Sequence, residues 1–216
     1  MFEIGARVIA LVLGYFAGTL PTGYLYGKSK GIDIRDHGSG NSGTTNTLRI
    51  LGWKAGAVTF LGDSFKAILI ILLVHFIFKD RCSEYVRLLD LYAGFGAVLG
   101  HNFPFFLKFK GGKGIATTAG VILAVCPLGV PVSIILFVTT VLITRYVSLG
   151  SILVVLAFLI QTIIFNYNGL INIGSAYVLE FDIVVACFTV MAIWRHRANI
   201  SRLLNGTENK FGQKAK

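Results

Sequence analysis

The chain has 216 residues, of which 55% are hydrophobic and only 14% charged, with a mean hydropathy of +0.74. A soluble domain of this length needs far more charge to cover its surface, so water is excluded as the main solvent. The formal net charge of +10 comes from basic residues that flank apolar stretches and are not interleaved with aromatics on a soluble domain, which excludes nucleic acid as the natural partner. Cys82, Cys126 and Cys187 have no C-x-x-C spacing, and the four histidines form no H-E-x-x-H pair. Neither a disulfide framework nor a metal site is expected, and no cofactor.

Roughly 20 apolar residues in helical form cross a bilayer core. Stretches of that kind at 4–26, 56–78, 88–106, 114–128, 130–144, 148–166 and 180–194 predict an all-α, polytopic integral membrane protein with about seven transmembrane helices. They form a single membrane-embedded domain over 1–216. The first stretch runs on without an A-x-A-like cleavage site and is expected to stay in the mature protein. Gly14 and Gly18, and Gly96 and Gly100, are small-xxx-small pairs that let helix backbones approach closely. Asp63 and Lys66 lie inside the second span at i, i+3, where they share a face and neutralise each other. Pro127 and Pro131 allow two readings of the next stretch, two short helices joined by a tight turn or one kinked helix. A count of five or six spans therefore competes with seven.

With seven spans, segments 27–55, 107–113 and 145–147 and the tail 195–216 share one side. They hold fifteen of the twenty Lys and Arg residues, against four on the other side. Cytoplasmic loops retain the basic excess, so the N-terminus is expected outside and the C-terminus in the cytoplasm of a multi-pass cell-membrane protein. Topogenesis accounts for most of this charge. No internal repeat points to an inverted-repeat transporter.

Three polar segments fall on that same side. The first, Gly38 to Arg49, combines glycines with Ser39, Asn41, Thr45 and Asn46, contains no acid and ends in an arginine. Glycines let backbone N–H groups converge on one point, the neutral side chains add donors, and Arg49 adds a bidentate charge, all of which suits a phosphate. Gly38, Gly40 and Gly43 match G-x-G-x-x-G, but no strand precedes them and the dinucleotide reading fails. The second, Gly100 to Gly114, sets Lys108, Lys110 and Lys113 beside Gly111, Gly112 and Gly114, without the spacing of a Walker A loop. The third, 195–208, follows the last span and places His196, Asn199 and Arg202 at i, i+3 and i+6, aligned if the helix continues. Read singly, the three are a surface loop, a positive-inside anchor and a basic interfacial helix. Read together, they supply phosphate ligands, cations and a histidine for two anionic substrates.

At the motif level the chain resembles the bacterial acyl-phosphate-dependent glycerol-3-phosphate acyltransferases. The first segment is similar to the family pattern G-S-G-N-x-G-x-T-N-x-x-R, filled by Gly38, Ser39, Gly40, Asn41, Gly43, Thr45, Asn46 and Arg49. The second resembles G-H-x-F-P-x-F-x-x-F-K-G-G-K-G, and the third H-R-x-N-I-x-R with a later T-E, in the same order over residues 20 to 210. The resemblance implies transfer of a fatty acyl group from acyl phosphate to the sn-1 hydroxyl of glycerol 3-phosphate, with membrane lipids as surroundings and no obligate protein partner. His75 and Asp80 match the H-x4-D pair of other glycerolipid acyltransferases, but at the far end of the second span, where the match is accidental.

On this reading Arg49, Lys113 and the Gly111–Gly112 backbone hold phosphates, and Ser39 and Asn41 complete their hydrogen bonds. His196, oriented by Asn199, is the protein base; the acceptor's own phosphate is the rival base, with a second pKa of about 6. His101 is the second candidate base, or a structural partner of the first segment. Gly40, Gly43, Thr45, Asn46, His101, Lys108, Lys110, Gly114 and Arg202 complete the expected substrate-binding set. A phosphate-ester transporter and a non-catalytic protein that binds lipid headgroups are the alternative readings.

Overall fold

The structure, a computed structural model, describes residues 2–213. Its helices are α1 (Phe2–Gly18), α2 (Thr22–Ser29), α3 (Thr44–Leu51), α4 (Trp53–Phe78), α5 (Val86–Asn102), α6 (Ile115–Val125), α7 (Val130–Thr144), α8 (Val147–Tyr167), α9 (Val178–Arg195) and α10 (Arg197–Leu204). Each predicted apolar stretch is centred on one of the seven helices α1, α4, α5, α6, α7, α8 and α9, the first of them running on into α2. Short α2, α3 and α10 carry polar segments between or after them.

The glycine pairs decide how α1 and α5 meet. A Cβ on Gly14 would lie 2.0 Å from the Ala93 carbonyl oxygen and one on Gly18 2.1 Å from that of Ala97. In return, a Cβ on Gly96 would lie 2.1 Å from the Leu11 oxygen and one on Gly100 2.0 Å from that of Tyr15. The two backbones are in direct contact, and no side chain larger than hydrogen fits the seam. Helix α5 is thereby enclosed by α1, α4, α6 and α9, and most of its side chains are buried. Helix α6 packs on α4 by the same means, since a Cβ on Gly120 would sit 2.2 Å from the Ser64 oxygen. Helices α7 and α8 pair with each other, and α8 leads back to α9.

A short 3-10 turn, Pro127–Gly129, separates α6 from α7, so the two prolines mark two helices joined by a tight turn. Five helical stretches are long and apolar enough to cross a bilayer: Phe2–Ser29, Trp53–Phe78, Pro127–Thr144, Val147–Tyr167 and Ser175–Arg195. The expected seven are not all of this kind. Helix α6 has 11 residues, about 16 Å of rise against a hydrocarbon core of about 30 Å. Helix α5 is sheathed by protein and tolerates Asp90 and His101, which no lipid-facing helix of its length would carry.

At the end of the bundle away from the polar segments, Arg7 of α1 makes a two-pronged pair with Glu180 of α9 (2.7 and 2.9 Å), and Tyr92 of α5 donates to the same carboxylate at 2.8 Å. His75 pairs with Asp90 at 2.8 Å rather than with Asp80, so the H-x4-D spacing builds no dyad.

Candidate active site

The first polar segment folds as a loop that feeds α3. Gly38 has φ +60, and a Cβ there would strike the Asn46 side chain at 2.5 Å. Asn46 is buried beneath the loop, donates to the carbonyls of Ile34 and His37 at 3.0 Å each, and accepts from the Ser39 N–H at 2.9 Å. All its hydrogen-bonding capacity toward the loop is thus in use. Asn46 staples the loop from beneath and also lines the pocket, so it holds the shape of the segment expected to bind substrate. Asn41 accepts from the Gly43 N–H at 2.8 Å and lines the pocket. The first-turn amides of Thr44 and Thr45 have no intrahelical acceptors, and they open on the pocket with the positive end of the helix dipole. Arg49 lies one turn beyond Thr45 and lines the same pocket.

In the second segment the glycines serve packing. The Gly111 N–H donates to Asn102 at 3.2 Å and the Gly112 N–H to His101 at 3.1 Å. These two amides are already spent, so the Gly111–Gly112 backbone does not hold phosphate as expected. A Cβ on Gly112 would fall 2.0 Å from His101 Nε2, and one on Gly111 2.1 Å from the His101 oxygen. His101 is buried, and its Nδ1 lies 2.9 Å from Lys66 Nζ and 3.5 Å from Asp63 Oδ1. Its partners are these α4 residues and not the first segment. Lys66 also contacts Asp63 at 2.8 Å and the Leu20 oxygen at 2.9 Å, so the expected Asp63–Lys66 pairing is present and joins α4, α5 and the turn after α1. Gly114 adopts φ +77 as it starts α6, which explains its glycine without a ligand.

Lys113 is the lysine that enters the pocket. Its Nζ donates to Asn199 Oδ1; Asn199 Nδ2 donates to Glu208 Oε1 at 2.6 Å, and Ser148 of α8 donates to the same oxygen at 2.9 Å. Arg202 Nε holds the other oxygen at 2.7 Å. One carboxylate therefore fixes the ammonium through an amide and fixes an arginine directly. Burial, together with the neighbouring arginines and against the pull of Glu208, lowers the Lys113 pKa to about 8. His196 follows the end of α9, and its Nδ1 is 2.7 Å from the Ala192 carbonyl, so Nδ1 carries the proton and Nε2 offers a lone pair. Burial, then the Lys113 charge, lowers its pKa to about 4. The Ala192 carbonyl orients His196; Asn199, expected in that role, positions Lys113 instead.

These groups meet in one pocket of about 320 Å³. Ser39, Asn41, Gly43, Thr45, Asn46, Arg49, His101, Lys113, Gly114, His196, Asn199 and Arg202 all line it, so the three segments share one pocket. The polar floor continues into an apolar side made by Phe60 of α4 and Phe137 and Val141 of α7. Gly40, Lys108, Lys110 and Gly111 lie elsewhere, in a separate groove. Two positioning residues escaped the sequence reading. Glu208 was visible only as the lone acid of the motifs. Arg195, read as an interfacial charge, donates to the carbonyls of Gly111 (3.0 Å) and Gly112 and ties the third segment to the second. Among the described residues no group of three His, Cys, Asp or Glu side chains is arranged to hold a metal ion.

The fold and pocket together define an integral membrane protein with a cationic, hydrogen-bonding site that opens onto an apolar flank. A family model described as glycerol-3-phosphate acyltransferase matches residues 8–206. A glycerol-3-phosphate acyltransferase of Clostridioides difficile (strain 630) is 42% identical over 218 residues, covering 98% of each chain. That of Bacillus subtilis (strain 168) is 42% identical over 203 residues, covering 94% of this chain and 96% of the relative. Among solved structures, the glycerol 3-phosphate form of PlsY (YgiH), an integral membrane glycerol 3-phosphate acyltransferase, superposes with a TM-score of 0.81 at 33% identity, over 95% of this chain and 96% of that one. Its lysophosphatidic acid form gives 0.77 at 34% identity, over 95% of each. The chain belongs to the glycerol-3-phosphate acyltransferase family.

Proposed function

We propose that this protein moves a fatty acyl group from acyl phosphate to the sn-1 hydroxyl of glycerol 3-phosphate, yielding 1-acylglycerol 3-phosphate (lysophosphatidic acid) and inorganic phosphate. It does so as a seven-helix membrane protein with its N-terminus outside and the pocket facing the cytoplasm of the cell membrane. The observation that carries this reading is the convergence of Arg49, Lys113, Arg202 and the α3 amides with a histidine bearing a free Nε2, beside an apolar wall for an acyl chain.

An acyl phosphate is already activated, so the site has to position two anions and stabilise the departing phosphate. The acceptor hydroxyl oxygen bonds to the acyl carbon, and the bond from that carbon to the phosphate oxygen breaks. Lys113 and Arg49 neutralise the leaving phosphate; the Thr44 and Thr45 amides and Asn41 complete its hydrogen bonds or those of the acceptor phosphate. Either His196 Nε2 or the acceptor's own phosphate takes the hydroxyl proton, and the family's glycerol 3-phosphate and lysophosphatidic acid forms are the two ends of that step. A specific observation favours the rival base: a histidine held at about 4 is a weaker base than a phosphate monoester with a second pKa of about 6. The acid limb of kcat against pH separates the two. If His196 is the base, His196→Gln removes the limb along with most of the turnover, whereas near-normal turnover assigns the proton to phosphate.

The donor is tested with purified protein in lipid, supplied with labelled glycerol 3-phosphate and either acyl phosphate or the matching CoA thioester. Lysolipid and phosphate are expected in equal amounts from acyl phosphate and none from the thioester. Product from the thioester alone overturns the donor; product from neither retires the enzyme reading.

A further inference from the structure

Each of the three polar segments has two sides. Ser39 and Asn41 line the reaction pocket while Gly40 between them faces a separate groove; Lys113 and His196 line the pocket while Lys108, Lys110 and Arg195 line the groove. That groove has a volume of about 680 Å³ and brings Arg35 to the same cluster, with Asp36 as its one carboxylate. Arg35 is held by Asp33 at 2.8 Å and lies over the Tyr24 ring at 4.8 Å, which leaves its charge largely matched. Lys108 and Lys110 enter no ion pair among the described residues. Arg195 is fixed by the Gly111 and Gly112 carbonyls and by the Phe103 ring at 5.2 Å, and its buried Nε has no partner.

The backbone is arranged around these lysines at some strain. Lys108 and Phe109 have φ +53 and +59, two successive non-glycine residues in the left-handed region. The turn exposes Phe105, Phe106 and Phe109 at 52%, 44% and 60% beside the lysines. Three exposed phenylalanines next to two unpaired ammonium groups suit the boundary of a bilayer, with rings among acyl chains and ammonium groups among headgroup phosphates. We propose that this groove is a second anion site, separate from the reaction pocket, that holds the phosphate of an anionic membrane lipid headgroup on Lys108, Lys110 and Arg195. Its occupant reaches the reaction pocket only through shared walls, above all the Arg195 contacts with the loop that carries Lys113.

The test is native mass spectrometry of the full-length, delipidated protein in detergent, titrated separately with phosphatidic acid, phosphatidylcholine of the same chains and inorganic phosphate. Phosphatidic acid is expected to be retained over phosphatidylcholine, and to bind about 30-fold more weakly to Lys108→Gln/Lys110→Gln, the effect of two charges near a lipid surface. Lys108→Arg/Lys110→Arg retains the lipid, which separates loss of charge from loss of fold, and Arg49→Gln in the reaction pocket leaves retention unchanged. Inorganic phosphate bound with the same dependence on the two lysines, without a lipid adduct, overturns the lipid as occupant and keeps the anion chemistry. Equal retention by wild type and Lys108→Gln/Lys110→Gln, or loss in Arg49→Gln alone, overturns the second site.

Discussion

Lys113 is the residue on which most of the site's electrostatics turns. It is the one lysine of its loop inside the pocket, and its position depends on Asn199, which depends on Glu208. Lys113→Met is expected to lower kcat/KM about 10²–10³-fold, as removal of one charge-stabilising donor does, with unchanged helical circular dichroism. A loss below about tenfold would remove Lys113 from the chemistry. Because the ammonium loses its charge as pH rises through about 8, acyl phosphate affinity measured by calorimetry without acceptor should fall over that range. Glu208 raises the Lys113 pKa, so Glu208→Gln should move this alkaline limb to lower pH. Arg49, Lys113, His196 and Asn199 were legible as candidate pocket residues because cations, an amide and a histidine in segments whose one acid is Glu208 have few other uses. The tasks of Asn46, Gly111 and Gly112 were not legible. Their partners include backbone groups of His37, His101 and Asn102 and the Arg195 side chain, each nine residues or more away, and only the fold brings these together.

Among elements, α5 organises the molecule, and it does so through glycine. Gly96→Ala places a methyl against the Leu11 carbonyl and should destabilise the protein by about 1–3 kcal/mol, read as a lower Tm in detergent. Gly5→Ala, in the facing α1 helix but with nothing within 4 Å, should instead be neutral or stabilise by up to about 1 kcal/mol. Equal effects of the two would show that the seam does not carry the packing. The glycine pairs were legible in the sequence as close-packing positions, whereas the prolines left a tight turn and a kink as equal alternatives until the 3-10 turn at Pro127–Gly129 was seen. What the apolar pattern did not convey is that α5 is enclosed and α6 is half a span long. Hydropathy reports the solvent a helix tolerates, and a helix wrapped by other helices has no solvent to report.

For the molecule as a whole, 55% hydrophobic content and five long apolar helices agree on an integral membrane protein. The three polar segments, far apart in the chain, do close on one pocket, although two of the second segment's three lysines, Lys108 and Lys110, line a neighbouring groove. The proposed cytoplasmic position of that pocket rests on the excess of Lys and Arg on its side. Charge and function then make one prediction, since glycerol 3-phosphate is an anion that does not cross a sealed bilayer. The decisive measurement is lysophosphatidic acid formation by sealed vesicles from a host lacking its own activity, with acyl phosphate in the bilayer and labelled glycerol 3-phosphate added outside. Inverted vesicles, which present the cytoplasmic face, should form product, and sealed right-side-out vesicles should not until they are made permeable. Turnover by sealed right-side-out vesicles and none by inverted ones would contradict the account.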